Sequence, residues 1–486
     1  RFGHSLLRRV AYELIPMGRR QELHHAIGLL SADPSVRAHH LCHGMALDPH
    51  AAIAAMVAAG RASLAEQAYA DAAEWFERAV EQSPVVGMSS VQVLDLRLEA
   101  CDSARLAGRP GHAGPLLDLA EEAVETGHLD LRRRATVAAV QLGEAVDPGA
   151  LQERAAQLAD RAVATEEDRS WRARLNATGS ILHSMSGDTP RCREMFLAAL
   201  EDADPADDAL ACDVLPYAYM ALGHPDDLAL REALADRLLT AGLRLDDHAA
   251  QWEANHLRYS TAIMRADGRA LRLALAECQR LLAHLGDAGR RWSVGYMRAA
   301  LAAIDGRRED AERLSAEAMA VGTGVAPGRA MSVMSAQLLS LRWEQDRLEE
   351  LADTILYLID AQPEITAWQG AGCLILAGSD QAMAAALFDR AAADDFAALP
   401  HDFAWLVGML VLAGGAARLG DAGRAATIAP HLAPYTDLVC WQGSCSYGPV
   451  AAVAADLADL CGDGDRGQRL RTKAAELRRS LAAAEG

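Results

Sequence analysis

Lysine is almost missing from this chain of 486 residues: of 47 basic residues, only Lys473 is not arginine. A GC-rich coding sequence accounts for the preference, and its chemical consequence is sharp. A phosphate-binding P-loop needs a lysine after its glycine-rich turn to reach the terminal phosphates. Lys473 lies in QRLRTKAAEL with no glycine loop before it, so no Walker motif can form here. Gly-x-Ser-x-Gly, Ser-x-x-Lys and His-Glu-x-x-His are absent as well, so the chain is expected to be non-catalytic.

Aromatic residues are scarce too, at 5%, although 51% of the chain is hydrophobic. Alanine and leucine supply most of the apolar mass, which suits helices packed through small side chains and suits sheets poorly. An all-α protein is expected. Excess positive charge is also lacking. At a net charge of −20, the chain is not expected to grip nucleic acid or an anionic membrane by itself. The longest apolar run, Phe403 to Ala417, has about 15 residues, too few for a membrane span, and predicts a buried helix. Nine cysteines without a regular framework read as reduced thiols in a cytoplasmic protein. Cys440 and Cys445 have four residues between them, the wrong spacing for the dithiol oxidoreductase motif. They read as buried thiols, with a reversible disulfide as the alternative.

What the chain has is repetition. Gly60, Ala72, Phe76 and Ala79 are spaced like Gly372, Ala384, Phe388 and Ala391, and like Ser180, Cys192, Phe196 and Ala199. Three of the six phenylalanines thus fall on one template position. This is the spacing of the tetratricopeptide repeat, in which small residues let two helices approach and the aromatic ring plugs the gap to a neighbour. Helix breaks recur at 108–114, 146–150, 223–227, 266–270, 304–310, 419–425 and 461–467, a period of roughly 40 residues, looser than the usual ~34. The expected fold is a tetratricopeptide-like helical-hairpin solenoid over 51–486, with about ten or eleven hairpins and a concave binding wall. EDADPADDAL (201–210) reads as a solvated loop, with a cation or basic-partner site as the alternative.

Two groups of residues are candidates for function. Laying the template on the breaks at Gly268, Gly306 and Asp346 puts Asn255, Arg258 and Arg265 on one inner helix, Tyr296 on the next and Trp343 on the one after. Guanidinium groups near aromatic faces would suit an anionic or planar effector. The alternative is that Tyr296 and Trp343 fill inter-repeat core and Arg258 pairs with an acidic neighbour. Near the start, histidines are dense: His24, His25, His39, His40, His43 and His50. His39 and His43 would share a helix face, but no second ligand pair completes a zinc tetrahedron. They read as capping or partner-facing histidines, and no metal is expected.

The first residues, RFGHSLLRRVAYELIPMGRRQELHHAIG, already read as a helix in progress, without an initiating Met or a secretory signal. They resemble the stretch that closes the nucleotide-switch module in large ATP-binding bacterial regulators of the LuxR type, and in related ATPase-linked adenylate cyclases. The match rests on Phe2, His4, Leu6, Leu7, Arg8, Tyr12, Arg19, Arg20, Glu22, Leu23 and His24. LAPYTDLVCWQGSCSYGPVAAVAADLADLCGD resembles a late repeat of the same regulators. The resemblance implies that residues 1–50 end a winged-helix module and that His4, Arg8, Arg9, Arg19 and Arg20 contact an upstream ATPase domain. It further implies a sensor arm that binds a small-molecule inducer or a regulatory protein. ATP or ADP would belong to a longer parent protein, and DNA would be met only through a domain outside this chain. A free-standing scaffold binding peptides or helices, and the regulatory region of an adenylate cyclase, are the alternatives.

Overall fold

The computed structural model describes residues 9–10, 12–109, 111–140, 150–185, 188–286, 288–362 and 365–482. The chain is all-α in the expected manner, a tetratricopeptide-like succession of helical hairpins, and it forms two compact units, 1–142 and 143–486.

Unit 1 contains α1 (Met17–Leu30), α2 (Pro34–His43), α3 (Pro49–Ala65), α4 (Tyr69–Gln82), α5 (Ser90–Leu106), α6 (Ala113–Glu125) and α7 (Leu129–Val140). The starts are written in local chemistry. Asp33 and Asp48 accept main-chain N–H groups of Val36 and Ala51 with a proline at the next position, and Ser89 and Gln92 form a reciprocal capping box. Gly60 on α3 faces Phe76 on α4 so closely that a Cβ there would sit 2.8 Å from the ring. Residues 17–43 form a helical pair within the same compact unit as α3–α7. Among the described residues before 50 there is no strand.

Unit 2 runs through α8 (Ala150–Thr165), α9 (Arg169–Met185), α10 (Thr189–Asp202), α11 (Asp208–Val214), α12 (Ala218–Ala221), α13 (Leu228–Arg244), α14 (His248–Met264) and α15 (Gly268–Leu281). It continues through α16 (Ala288–Ile304), α17 (Arg308–Gly322), α18 (Pro327–Glu344), α19 (Ala352–Ala361), α20 (Ala367–Leu376), α21 (Gln381–Ala392), α22 (Trp405–Leu419) and α23 (Ala422–Leu432). A β-hairpin, β1 (Val439–Trp441) and β2 (Ser446–Pro449), follows, then α24 (Val450–Leu460) and α25 (Gly464–Ala482).

The three template phenylalanines, Phe76, Phe196 and Phe388, are all fully buried with their template alanines and Cys192. The same spacing holds where the aromatic is gone. Ala299, Ala311, Ser315 and Ala318 are buried in the α16/α17 pair, and Gly295 approaches Ala318. The apolar run Phe403–Ala417 becomes α22, buried from Trp405 to Ala416. Its glycines allow close approach: a Cβ on Gly414 would meet Trp343, and one on Gly415 would meet Cys373. The helix breaks fall where expected, except that 146–149 lies outside the described residues. The acidic segment 201–210 is consumed internally. Asp202 pairs with Arg172 at 2.6 Å, Asp208 with Arg237 at 2.6 Å, and Asp207 caps α11.

The strands are the feature that composition did not foretell. Val439 pairs with Pro449, Cys440 with Gly448, and Trp441 with Ser446. Residues 442–445 close the turn, with Gln442 N–H donating to the Cys445 carbonyl at 3.0 Å and Gly443 at φ +107°, a conformation reserved for glycine. β1 packs on α14 and α22, and α25 lies against α15. Arg272 donates to the carbonyls of Leu481 and Ala482, and Ser480 to that of Ala266.

Candidate functional site

α14 is the axis of unit 2. From Ala250 to Met264 only Glu253 and Arg258 are not buried, so the helix is enclosed on nearly every side. Several of its polar residues are satisfied by its own turns and by α13, while Trp252 Nε1 and His256 Nε2 have no partner. Asn255 Nδ2 donates to the Gln251 carbonyl at 2.8 Å, Gln251 Nε2 to that of Gly242 at 3.1 Å, and Ser260 Oγ to that of Leu257 at 2.8 Å. A local acceptor for Gln251, Asn255 and Ser260 lowers the cost of burying them.

The hairpin covers this helix. Trp441 lies edge-on to Tyr259, with ring centroids 5.4 Å apart. Three side chains, one from α12 and two from α18, donate to main-chain carbonyls at or beside its tip. They are Tyr219 to Gly443 at 2.9 Å, Gln337 to Ser444 at 2.9 Å, and Ser340 to Ser446 at 2.6 Å. Tyr447 returns a hydrogen bond to the Ala336 carbonyl at 3.0 Å. Val439, Cys440, Trp441, Ser444 and Cys445 are buried. Cys440 and Cys445 are free thiols, both pushed up by burial, Cys445 to about 12. The other seven cysteines are free as well.

The residues singled out from the sequence are distributed differently from a single wall. Asn255 and Tyr296 are buried, and the Tyr296 carbonyl accepts from Gln337 at 3.0 Å. Arg258 and Arg265 are exposed on the other side of α14, turned to α13. Arg258 is 3.5 Å from Asp236, and Arg265 grips Glu232 through two hydrogen bonds of 2.9 and 3.0 Å. Trp343 is half-buried against Gly414 and Tyr447. Of the proposed switch contacts, His4 and Arg8 lie outside the described residues. Arg9 pairs with Glu13 at 3.2 Å and Arg19 with Glu22 at 2.7 Å, while Arg20 lies over the Tyr12 ring.

Unit 1 has its own concentration of polar aromatics. His24 of α1 and His40 of α2 meet at 2.8 Å through their Nδ1 atoms, and the Tyr12 hydroxyl meets His24 Nε2 at 2.8 Å. His43 and His39 extend the group, with ring centroids 4.7 and 4.8 Å apart along the chain of contacts. Burial, then the neighbouring imidazoles, lower the His24, His40 and His43 pKa values. Among the described residues no three His, Cys, Asp or Glu side chains are arranged to hold a metal ion. Around these rings α1 is open: only its Gly28 is fully buried, and Met17 (69% exposed) and Leu30 (87%), with Leu14 (78%) just before the helix, face solvent.

Sequence reasoning missed Tyr219, Gln337 and Ser340, and also the buried His224, Arg231 and His256. One signal was available for the hairpin, Val-Cys-Trp and Ser-Tyr flanking a glycine-containing turn. None distinguished Arg231 from the other arginines.

No family model matches this chain, and no curated protein matches it. Among solved structures, a Rap protein complexed with competence and sporulation factor aligns over 89% of this chain and 99% of its own, at 10% identity and a TM-score of 0.44. Yeast Tom70 aligns over 96% of this chain and 94% of its own, at 11% identity and 0.30. A circular tandem repeat protein aligns over 98% of this chain and 91% of its own, at 14% identity and 0.13. Among the described residues no helix is long and apolar enough to cross a membrane.

Proposed function

We propose that this chain is the sensor and protein-interaction arm of a larger ATP-dependent regulator. In this reading unit 2 takes an inducer or regulatory protein, and the N-terminal helices pass the event to a nucleotide switch. The observation that supports it is the apolar surface of α1. Burying side chains of this size contributes about 1.5–3 kcal/mol each, and Leu14, Met17 and Leu30 are exposed and free to be covered. A folded ATPase body seated there would gain that energy and would lie next to the histidine cluster. ATP or ADP would be held by that body, since Lys473 is paired with Asp437 at 2.5 Å and no other lysine exists. Transmission would follow ordinary linkage, with the ligand binding the active arrangement more tightly than the resting one.

A peptide-binding scaffold is the competing reading. Unit 2 gives it less support, because Tyr219, Gln337 and Ser340 are already engaged by the hairpin, whose Val439, Cys440, Trp441 and Cys445 are buried like core. An enclosed small ligand suits unit 2 better than an extended peptide.

The coding sequence on either side of the chain tests the proposal directly. A P-loop encoded upstream of Arg1 supports it, and a start codon beside Arg1 overturns it. In the parent protein, Met17→Asp with Leu30→Asp should uncouple inducer from ATP turnover while leaving thermal stability nearly unchanged, since both side chains already lie in solvent.

A further inference from the structure

Among the buried nitrogens of unit 2 that have no partner are His224 Nε2 and Arg231 Nε. His224 stands just before α13, 5% exposed, its ring stacked on His401 at 4.7 Å and tilted against Trp405 at 4.7 Å. Its Nδ1 accepts the Asp226 main-chain N–H at 3.3 Å. The proton of the neutral ring is therefore on Nε2, and that N–H has no partner. Arg231, one turn into α13, is 3% exposed. Its Nη2 donates to the Met264 thioether sulfur at 3.1 Å, a weak acceptor, and its Nε has no partner. The two side chains are within electrostatic reach of each other.

Most of the carboxylate oxygens nearby are engaged by other groups. Both Asp227 oxygens bind Arg193 at 2.9 and 3.0 Å, and both Glu232 oxygens bind Arg265. Asp226 Oδ1 accepts from the Tyr435 hydroxyl at 2.8 Å, and its Oδ2 lies 3.4 Å from His224 Nδ1. Burial lowers the Arg231 pKa to about 10, so the guanidinium stays charged at neutral pH with no anion hydrogen-bonded to it. A buried charge left in this state is costly unless something pairs with it.

We propose that His224 and Arg231 form an interior binding site for the oxyanion group of a small ligand, a carboxylate or a phosphate. The Nε and Nη2 edge of a guanidinium presents two parallel N–H groups, which match two oxygens of such a group. Met264 would give up its weak hydrogen bond to one of them, and His224 Nε2–H would donate to a remaining lone pair. The site deepens the sensor reading by naming the chemistry of the inducer, and only its regulatory meaning rests on that reading. Anion binding is measured in this chain alone, whereas the sensor reading is decided by the coding sequence upstream.

The experiment is a calorimetric titration of the full chain with inorganic phosphate and, separately, with acetate, against sodium chloride at matched ionic strength. Melting curves accompany each. Saturable binding of phosphate alone assigns a phosphate ligand, and of acetate alone a carboxylate. Arg231→Met should weaken that binding roughly tenfold or more, as expected for a hydrogen bond to a charged group. Arg280→Met, which removes an exposed arginine of unit 2 paired with Glu277, should leave it unchanged. If Arg231→Met does not fold, His224→Phe takes its place, with the same loss expected. No saturable binding of either anion, or an unaltered affinity in the variant, overturns the proposal.

Discussion

The Tyr219 hydroxyl donates to the main-chain carbonyl of Gly443 at 2.9 Å, joining a short helix near the middle of the chain to the tip of a hairpin close to its end. With Gln337 and Ser340 making the same kind of bond to Ser444 and Ser446, the inner helices hold the hairpin by its backbone. The hairpin in turn brings Trp441 against Tyr259 on the central helix.

This arrangement ranks three substitutions. Trp441→Ala removes a buried ring from the core and should cost about 3–5 kcal/mol. Gly443→Ala places a side chain at φ +107° and brings a Cβ to 3.2 Å from the Tyr219 hydroxyl, for about 1–3 kcal/mol. Tyr219→Phe leaves one carbonyl without its donor and should cost about 1 kcal/mol. Denaturant midpoints of the tryptophan fluorescence of unit 2 would give the order, and equal effects would remove the hairpin from its place as a keystone.

Two glycines of unit 1 should respond to alanine with opposite signs. At Gly60 the new methyl would lie 2.8 Å from the Phe76 ring, and overpacking should cost about 1–3 kcal/mol despite alanine's better helix propensity. At Gly18 on α1 nothing lies within 4 Å, so alanine should stabilise by about 0.4–1 kcal/mol. Thermal melting of the two variants beside the parent checks both signs.

Trp343 separates packing from ligand contact. Its ring fills the space above Gly414 and meets Tyr447, yet it keeps partial exposure. Trp343→Ala should therefore cost about 3 kcal/mol, the lower end of the range for such truncations. A variant that melts like the parent but loses effector response would instead make Trp343 a ligand contact.

Acid should weaken unit 1. His24, His40 and His43 have folded pKa values below 6.5, and the groups facing them, His39, Arg20 and Arg78, are basic. Between the lowered value and 6.5, such a histidine binds fewer protons folded than unfolded. Its contribution is complete above 6.5 and is lost as pH falls through that window. His224 and His256, each held at about 4 chiefly by burial, act in the same direction over pH 6.5 to 4. Asp402, raised to about 6 by burial, opposes them between pH 3.8 and 6. Urea unfolding at pH 7.5 and 5.5 should show a lower midpoint in acid, and His40→Gln should shrink the difference.

The amino-acid sequence alone determined what depends on neighbours along the chain. The spacing that joins Gly60 to Ala72, Phe76 and Ala79 is a relation between two helices of one hairpin. Each such pair buries its small residues wherever it occurs, so the all-α repeat architecture and the burial of α22 were legible. The caps at Asp33, Asp48 and Ser89 are local in the same sense. The histidines at 39 and 43 could be placed on one face, but His24 joined them only when α1 packed on α2. Tertiary structure alone decided the interior of unit 2. Its hairpin meets Tyr219 across 224 residues and Gln337 across 107, separations at which periodicity carries no signal. The same packing turned a polar helix, Gln251 to Thr261, into an enclosed axis, and left Arg231 and His224 with donors and no acceptor. Whether a charge is paired or stranded depends on which distant carboxylates are already taken, and that is settled only when the chain has closed on itself.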